Sequence, residues 1–115
     1  MNDNIGNNIN YNPSTKAEID KLLRELPAEI EEQALKVNEA RTLWENALDI
    51  YKFKCDTYIN NINNIDVEKI ERETKLLIQK KNDAYSKFQT EKTKLIGLNN
   101  RLKATIARSS MGGLK

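Results

Sequence analysis

The sequence predicts an all-α fold: a long antiparallel two-helix hairpin, coiled-coil-like, kinked near Pro27 and oligomerising into a helical bundle. Three observations predict it. Apolar residues recur every seven positions along two stretches, and an asparagine-rich segment separates those stretches. The 115 residues include only two prolines and four glycines, which is too few for the turns of a β fold. This length supports one domain at most.

The first fourteen residues are expected to form a disordered arm. Six of the first twelve are asparagine, and such a composition buries too little apolar surface to order a chain. Thr15 and Glu18 then have the spacing of a capping box, in which each side chain accepts a backbone N–H from the other residue. We therefore expect a helical hairpin over residues 15–108, with its first helix spanning residues 15–59.

Apolar residues of the first helix keep a seven-residue period, which indicates one buried helix face. This stripe consists of Leu23, Ile30, Val37, Trp44, Tyr51 and Tyr58. Pro27 interrupts the run, because proline inside a helix removes a hydrogen bond and clashes with the preceding turn, at about 3 kcal/mol. We expect either a kink near Leu26 or a short first helix followed by a second that begins at Pro27.

The segment "YINNINNID" decides whether the chain reverses. Its four asparagines favour turns over helix, and Asp66 is a good N-cap for a new helix. We expect a loop over residues 60–65, a second helix over residues 66–108, and a flexible tail over residues 109–115, where two serines and two glycines end the helix. A straight, dimeric coiled coil in which the asparagines are only a weak spot is the open alternative.

A single register supports the reversal. If facing residues have numbers that add to 125, six apolar pairs form along the hairpin. These pairs are Ile19 with Ile106, Leu23 with Leu102, Ile30 with Leu95, Val37 with Phe88, Leu48 with Leu77, and Cys55 with Ile70. The same register places Trp44 opposite Lys81, as a cation–π contact, Tyr51 opposite Thr74, and Arg41 opposite Ala84.

The apolar surface of five residues exceeds what one seam between two helices can bury, and long helices need tertiary packing for stability. These residues are Trp44, Tyr51, Tyr58, Leu76 and Tyr85. We therefore expect self-association, or binding to another protein, through Trp44, Tyr51, Tyr58 and Tyr85. A second copy that completes a four-helix bundle is the simplest arrangement.

The residue types argue against catalysis. The chain has no histidine and a single cysteine, Cys55, so the usual general base and the cysteine-cluster metal sites are missing. Paired glutamates such as Glu31–Glu32 and Glu71–Glu73 are interpreted as solvated helix surface. We expect a non-enzyme with no cofactor, no metal and no small-molecule substrate. No apolar run of membrane-spanning length and no signal peptide are present, so the expected location is cytoplasmic.

Charge is unevenly distributed between the two arms. Residues 1–62 hold seven basic and eleven acidic side chains, a net charge of −4, whereas residues 63–115 hold twelve basic and six acidic side chains, a net charge of +6. One interpretation is that the basic arm complements the acidic arm within the hairpin. The alternative is a nucleic-acid contact, in which Lys94, Arg101, Lys103 and Arg108 follow a phosphate backbone.

The runs "EIDKLLRELPAEIEEQALKVNEARTLWENALDIYKFK" and "KNDAYSKFQTEKTKLIGLNNRLKA" resemble small helical-hairpin proteins of phages that infect low-GC bacteria, encoded in early and recombination gene clusters. The resemblance covers roughly residues 17–107 and implies an accessory role in phage DNA metabolism or interference with a host system, in the host cytoplasm.

The sequence is therefore consistent with three functions. The first is a non-enzymatic helical interaction protein that acts through protein–protein contacts. The alternative is a nucleic-acid-binding accessory factor of phage recombination or replication that uses the basic C-terminal arm. The last is a virion structural or scaffolding component.

Overall fold

In the computed structural model, which describes residues 15–64 and 66–113, the chain forms two long α-helices. Helix α1 spans Lys16–Asn60, a 3₁₀ turn spans Ile62–Asn64, and helix α2 spans Val67–Gly113. The chain reverses between the helices, so the predicted all-α hairpin is confirmed and the straight coiled coil is wrong. The predicted arm, residues 1–14, and the last two residues of the predicted tail lie outside the described residues.

Both helix starts are capped as the sequence predicts. The Glu18 N–H donates to Thr15 Oγ1 at 3.1 Å, and the Thr15 N–H donates to Glu18 Oε1 at 3.3 Å, so each side chain satisfies a backbone N–H that the helix leaves free. At the start of α2 the Lys69 N–H donates to Asp66 Oδ1 at 3.2 Å.

The asparagine-rich loop is held by local hydrogen bonds. The Asn61 side-chain amide donates to the Thr57 carbonyl at 2.8 Å, and the Asn64 N–H donates to the Asn61 carbonyl at 3.0 Å. Asparagine thus supplies the bonds that the ending helix no longer makes.

Two helix boundaries differ from the prediction. Helix α1 passes through Pro27 without interruption, so a separate helix beginning there is wrong. Helix α2 continues beyond Arg108 to Gly113. Serine and glycine are weak helix formers, but adding residues to an existing helix avoids the cost of nucleation, and Ser109, seven residues after Leu102, is half-buried on the same row.

The hairpin divides into two compact units, which we call the loop unit, Glu32–Leu95, and the terminal unit, described over residues 15–31 and 96–113. In the terminal unit Leu22, Leu26 and Thr105 are buried. Ile106, predicted to face the seam, is exposed, because the seven-residue row of Leu98 places its neighbour Thr105 there instead.

The core of the loop unit is small. Val37, Ala40 and Phe88 form its buried cluster, and Trp44 and Leu95 pack against it half-buried. The predicted meeting of Val37 and Phe88 is therefore observed.

Two cationic side chains contact rings other than their partners in the predicted register. Lys81 lies over the Tyr51 ring, 5.3 Å from its centroid, rather than over Trp44. The Arg41 guanidinium lies 6.0 Å from the Phe88 centroid rather than beside Ala84. Long side chains lean along their helix, so Arg41 reaches a residue about one turn from its nominal partner and Lys81 reaches one about two turns away.

Candidate interaction surfaces

The seam of the loop unit separates two faces of the hairpin. On α2 two seven-residue rows face α1, and on α1 two rows face α2, all buried or half-buried. The rows are Ile70, Leu77, Ala84 and Glu91; Thr74, Lys81, Phe88 and Leu95; Gln33, Ala40 and Ala47; and Val37, Trp44, Tyr51 and Tyr58. Residues at the edges of these rows and just outside them, on either side, form the two faces.

One side, which we call the aromatic face, contains Trp44, Tyr85 and Phe88. The Trp44 and Phe88 rings stack with centroids 5.6 Å apart and planes 14° apart, and Tyr85 tilts against Trp44 at 5.0 Å. Arg41 and Lys92 place their cations 6.0 and 5.2 Å from the Phe88 centroid. Such ring pairs and cation–π contacts stabilise the hairpin itself.

Tyr51 and Tyr58, also predicted to self-associate, have partners within the chain. The Tyr58 hydroxyl donates to Glu73 Oε1 at 2.5 Å, and this bond raises the pKa of Tyr58 and lowers that of Glu73. A hydrogen bond to Cys55 raises the pKa of Tyr51. Of the four predicted residues, Tyr85 is the most exposed, at 44%, and the role of all four in association stays a prediction.

A polar pair that sequence reasoning missed lies in the seam. Gln33 and Glu91 are buried, and the Gln33 amide donates to both the carbonyl and Oε1 of Glu91 at 2.9 Å. Lys87 and Lys94 approach Glu91 Oε2 at 3.4 and 3.7 Å. The bond from Gln33 lowers the pKa of Glu91, and the two lysines act in the same direction against the opposing effect of burial.

The spacing of the pair could have revealed it. Glu91 is seven residues after Ala84, and Gln33 is seven residues before Ala40. A buried polar pair of this kind specifies the register of two helices, because sliding one helix would leave a charged group without partners.

The opposite side, which we call the leucine groove, is lined by aliphatic side chains, of which three large ones are exposed. An open depression of about 310 Å³ lies between the helices. It is lined by Leu43, Asn46, Ala47, Ile50, Leu77, Lys80 and Ala84. Leu43 is 63% exposed, Ile50 53% and Leu76 64%.

Two neighbouring depressions share lining residues with this one. Leu76 and Leu77 line a larger one of about 550 Å³, together with Lys54 and Glu73. On the other side, Leu43 lines one of about 270 Å³, together with Glu39 and Lys87. The leucine groove therefore continues along the face of the loop unit. Sequence reasoning missed Leu43 and Ile50 because they lie one row outside the apolar stripe.

Basic residues form one row along α2 beside the seam. Lys80, Lys87, Lys94, Arg101 and Arg108 follow one another at intervals of seven. Lys103, predicted to bind nucleic acid with three of them, lies two residues after Arg101 and so about 200° around the helix. Arg101 and Arg108 of the terminal unit therefore follow Lys94 of the loop unit at seven-residue intervals in the sequence of α2, and Lys103 does not belong to that series.

Comparisons with known proteins give no relative for this chain. No protein-family model matches it, and neither a curated protein nor a solved structure does. The resemblance to phage hairpin proteins stays a prediction. Within residues 15–64 and 66–113, no helix is long and apolar enough to cross a membrane, and no three His, Cys, Asp or Glu side chains are grouped to hold a metal ion.

Proposed function

We propose that this protein is a non-enzymatic helical interaction protein that binds a helix of another polypeptide in its leucine groove. The observation that carries the proposal is the exposure of Leu43, Ile50 and Leu76 along one continuous depression. Covering three leucine-sized side chains that are each more than half exposed contributes roughly 3–5 kcal/mol. That is a substantial share of the ~8 kcal/mol of a micromolar complex.

The floor of the groove suits a helix. Ala47 and Ala84 are small residues between the larger Leu43 and Ile50, so a third helix can insert its side chains between those of the hairpin. Helix-in-groove recognition uses such apolar anchors at intervals of three, four and seven residues. At the rim, Lys80 is placed to meet acidic residues that flank the apolar face of the incoming helix.

The test compares two leucines of equal exposure. A photo-crosslinking amino acid replaces Leu43, in the groove, or Leu35, which is eight residues earlier and faces away from the seam; each leucine is 63% exposed. In the cells that produce the protein, we expect a discrete crosslinked product from position 43 and none from position 35. Equal products from both positions, or no product from position 43, would contradict the proposal.

A second candidate function is nucleic-acid binding, favoured by the five basic residues in one row of α2. The ion pairs of Lys87 and Lys94 with Glu91 oppose it. Fluorescence anisotropy with labelled single- and double-stranded DNA at low salt tests it. If this function holds, replacing Arg101 and Arg108 with alanine weakens binding and flattens its salt dependence, whereas Lys103→Ala changes both much less. Absence of binding at low salt would exclude it.

A further inference from the structure

We propose that the partner of the leucine groove is the same face of a second copy of this chain. In this dimer a two-fold axis runs parallel to the helices of the loop unit, so that α1 of each copy lies on α2 of the other. The result is a four-helix bundle in which every neighbouring pair of helices is antiparallel. This inference rests on the proposed function and names its partner.

The charges that border the groove select this arrangement. On the α1 side Glu39 lies at the level of Lys87 on the α2 side, since both line one depression. Towards the loop the signs are reversed, with Lys54 on α1 at the level of Glu73 on α2. Among the described residues, no ion pair joins Glu39 to Lys87 across the groove.

A two-fold axis parallel to the helices preserves these levels and exchanges the helices. Glu39 of one copy then faces Lys87 of the other, and Lys54 faces Glu73. One heptad further from the loop, Glu32 faces Lys94 by the same rule. With the axis perpendicular to the helices, α2 would lie on α2, and the lysine row would face a lysine row. Like charges in direct contact disfavour that alternative.

The size of the face is sufficient for a dimer. The α1 part of the loop unit runs from Glu32 to Asn60, or roughly 44 Å, and two helices side by side are about 20 Å wide. The product is on the order of 900 Å², compared with about 800 Å² per partner in a standard interface. The symmetric arrangement also covers Leu43, Ile50 and Leu76 of both copies at once, whereas one helix of another protein would cover them in a single copy.

The experiment is a reciprocal charge reversal on the full chain. Glu39→Lys creates two Lys–Lys contacts in its own dimer, and Lys87→Glu creates two Glu–Glu contacts in its own. An equimolar mixture of the two variants restores unlike charges at both contacts of the mixed dimer. Sedimentation equilibrium should show a dimer for the natural chain, a dimer weakened about tenfold or more for each variant alone, and a mixed dimer close to the natural affinity.

Two controls keep the result interpretable. Glu45→Lys makes the same charge change on an exposed glutamate away from the groove and should leave the dimer unchanged. Because Lys87→Glu adds a carboxylate beside buried Glu91, Leu43→Asp and Leu35→Asp are measured in parallel. The first should abolish the dimer and the second should leave it unchanged, with circular dichroism confirming that both variants are helical.

A natural chain that stays monomeric at about 100 μM, far above a micromolar dissociation constant, would overturn the inference. So would charge-reversed variants that dimerise as the natural chain does, or a mixture that restores nothing. The failure of the proposed function is recognised separately. A crosslink from position 43 to a different protein keeps the groove as the binding site and overturns the second copy alone, whereas no crosslink from position 43 overturns both.

Discussion

The two faces of the loop unit are built on the same helices but differ in what covers their apolar side chains. On the aromatic face, Trp44 and Tyr85 close over Phe88. On the opposite face, Leu43 and Ile50 remain more than half exposed beside alanines. Large rings are long enough to contact each other across a two-helix seam, whereas aliphatic side chains beside small residues do not reach across it. The most aromatic surface of this hairpin therefore stabilises the hairpin itself, whereas the aliphatic surface stays exposed.

The largest expected effect is on stability at the aromatic face. Phe88→Ala removes a buried ring that contacts Trp44 and Tyr85 and should lower the free energy of unfolding by about 3–5 kcal/mol. Leu43→Ala should change it by less than about 1 kcal/mol, because little of that side chain is buried in the monomer. Urea unfolding at a protein concentration below self-association measures both. Equal losses would remove the distinction between the faces.

The buried pair between the faces gives the next largest effect. The pKa of Glu91 is lowered in the folded chain, chiefly by the bond from Gln33. Its contribution to stability is therefore present above the ordinary glutamate pKa, about 4.3, and is lost as the pH falls through the lowered value. Gln33→Leu should destabilise the protein at neutral pH and reduce the loss of stability in acid. Unfolding free energies measured from pH 7 to pH 3 check this, and parallel curves for the two proteins would contradict it.

Replacing Tyr85 should have only a small effect on the affinity of the dimer. Tyr85→Ala removes the most exposed of the four aromatic residues that were predicted to self-associate. If the leucine groove is the interface, the dissociation constant should change less than about threefold, under 1 kcal/mol. Sedimentation equilibrium measures it. If Tyr85→Ala weakened the dimer as much as Leu43→Asp does, the aromatic face would be the self-association surface.

The smallest effect is expected at the loop end of the seam. Tyr58→Phe removes the hydrogen bond to Glu73, which raises the pKa of Tyr58. The hydroxyl therefore favours the folded chain below the ordinary tyrosine pKa, about 10, and this preference is lost as the pH rises through the raised value. In an absorbance titration the variant should lack one of the late-titrating tyrosines. If the tyrosine that is lost in the variant titrates at the ordinary tyrosine pKa, and every late-titrating tyrosine remains, the hydrogen bond to Glu73 is contradicted.

The seven-residue period, the asparagines of the loop and both N-caps were sufficient to predict the hairpin from the sequence. Patterns of this kind are local or repeat along the chain, so they survive without coordinates. The end of α2 was not predictable in the same way, because Ser109 and Ser110 read as helix breakers when the row that continues from Leu102 is ignored.

The interaction surfaces were harder to predict. An apolar stripe identifies the residues that face the partner helix. It therefore includes Trp44 but not Leu43, whose exposure depends on the small side chains beside it. Gln33 and Glu91 were missed because both are polar. A polar residue in an apolar row is found only by extending the seven-residue spacing of the row, whatever the residue type at the next position. The contacts of Lys81 and Arg41 depended on side-chain direction, which the register alone does not contain.

The measurement that tests the central claim most directly compares the two faces in the same cells. A photo-crosslinking amino acid is placed at Leu43 in the leucine groove or at Tyr85 on the aromatic face, in the full chain at its natural level. We expect a discrete product from position 43, containing peptides of this same chain, and none from position 85. A product from position 85 alone would contradict it and would identify the aromatic face as the surface that this protein presents to its partner.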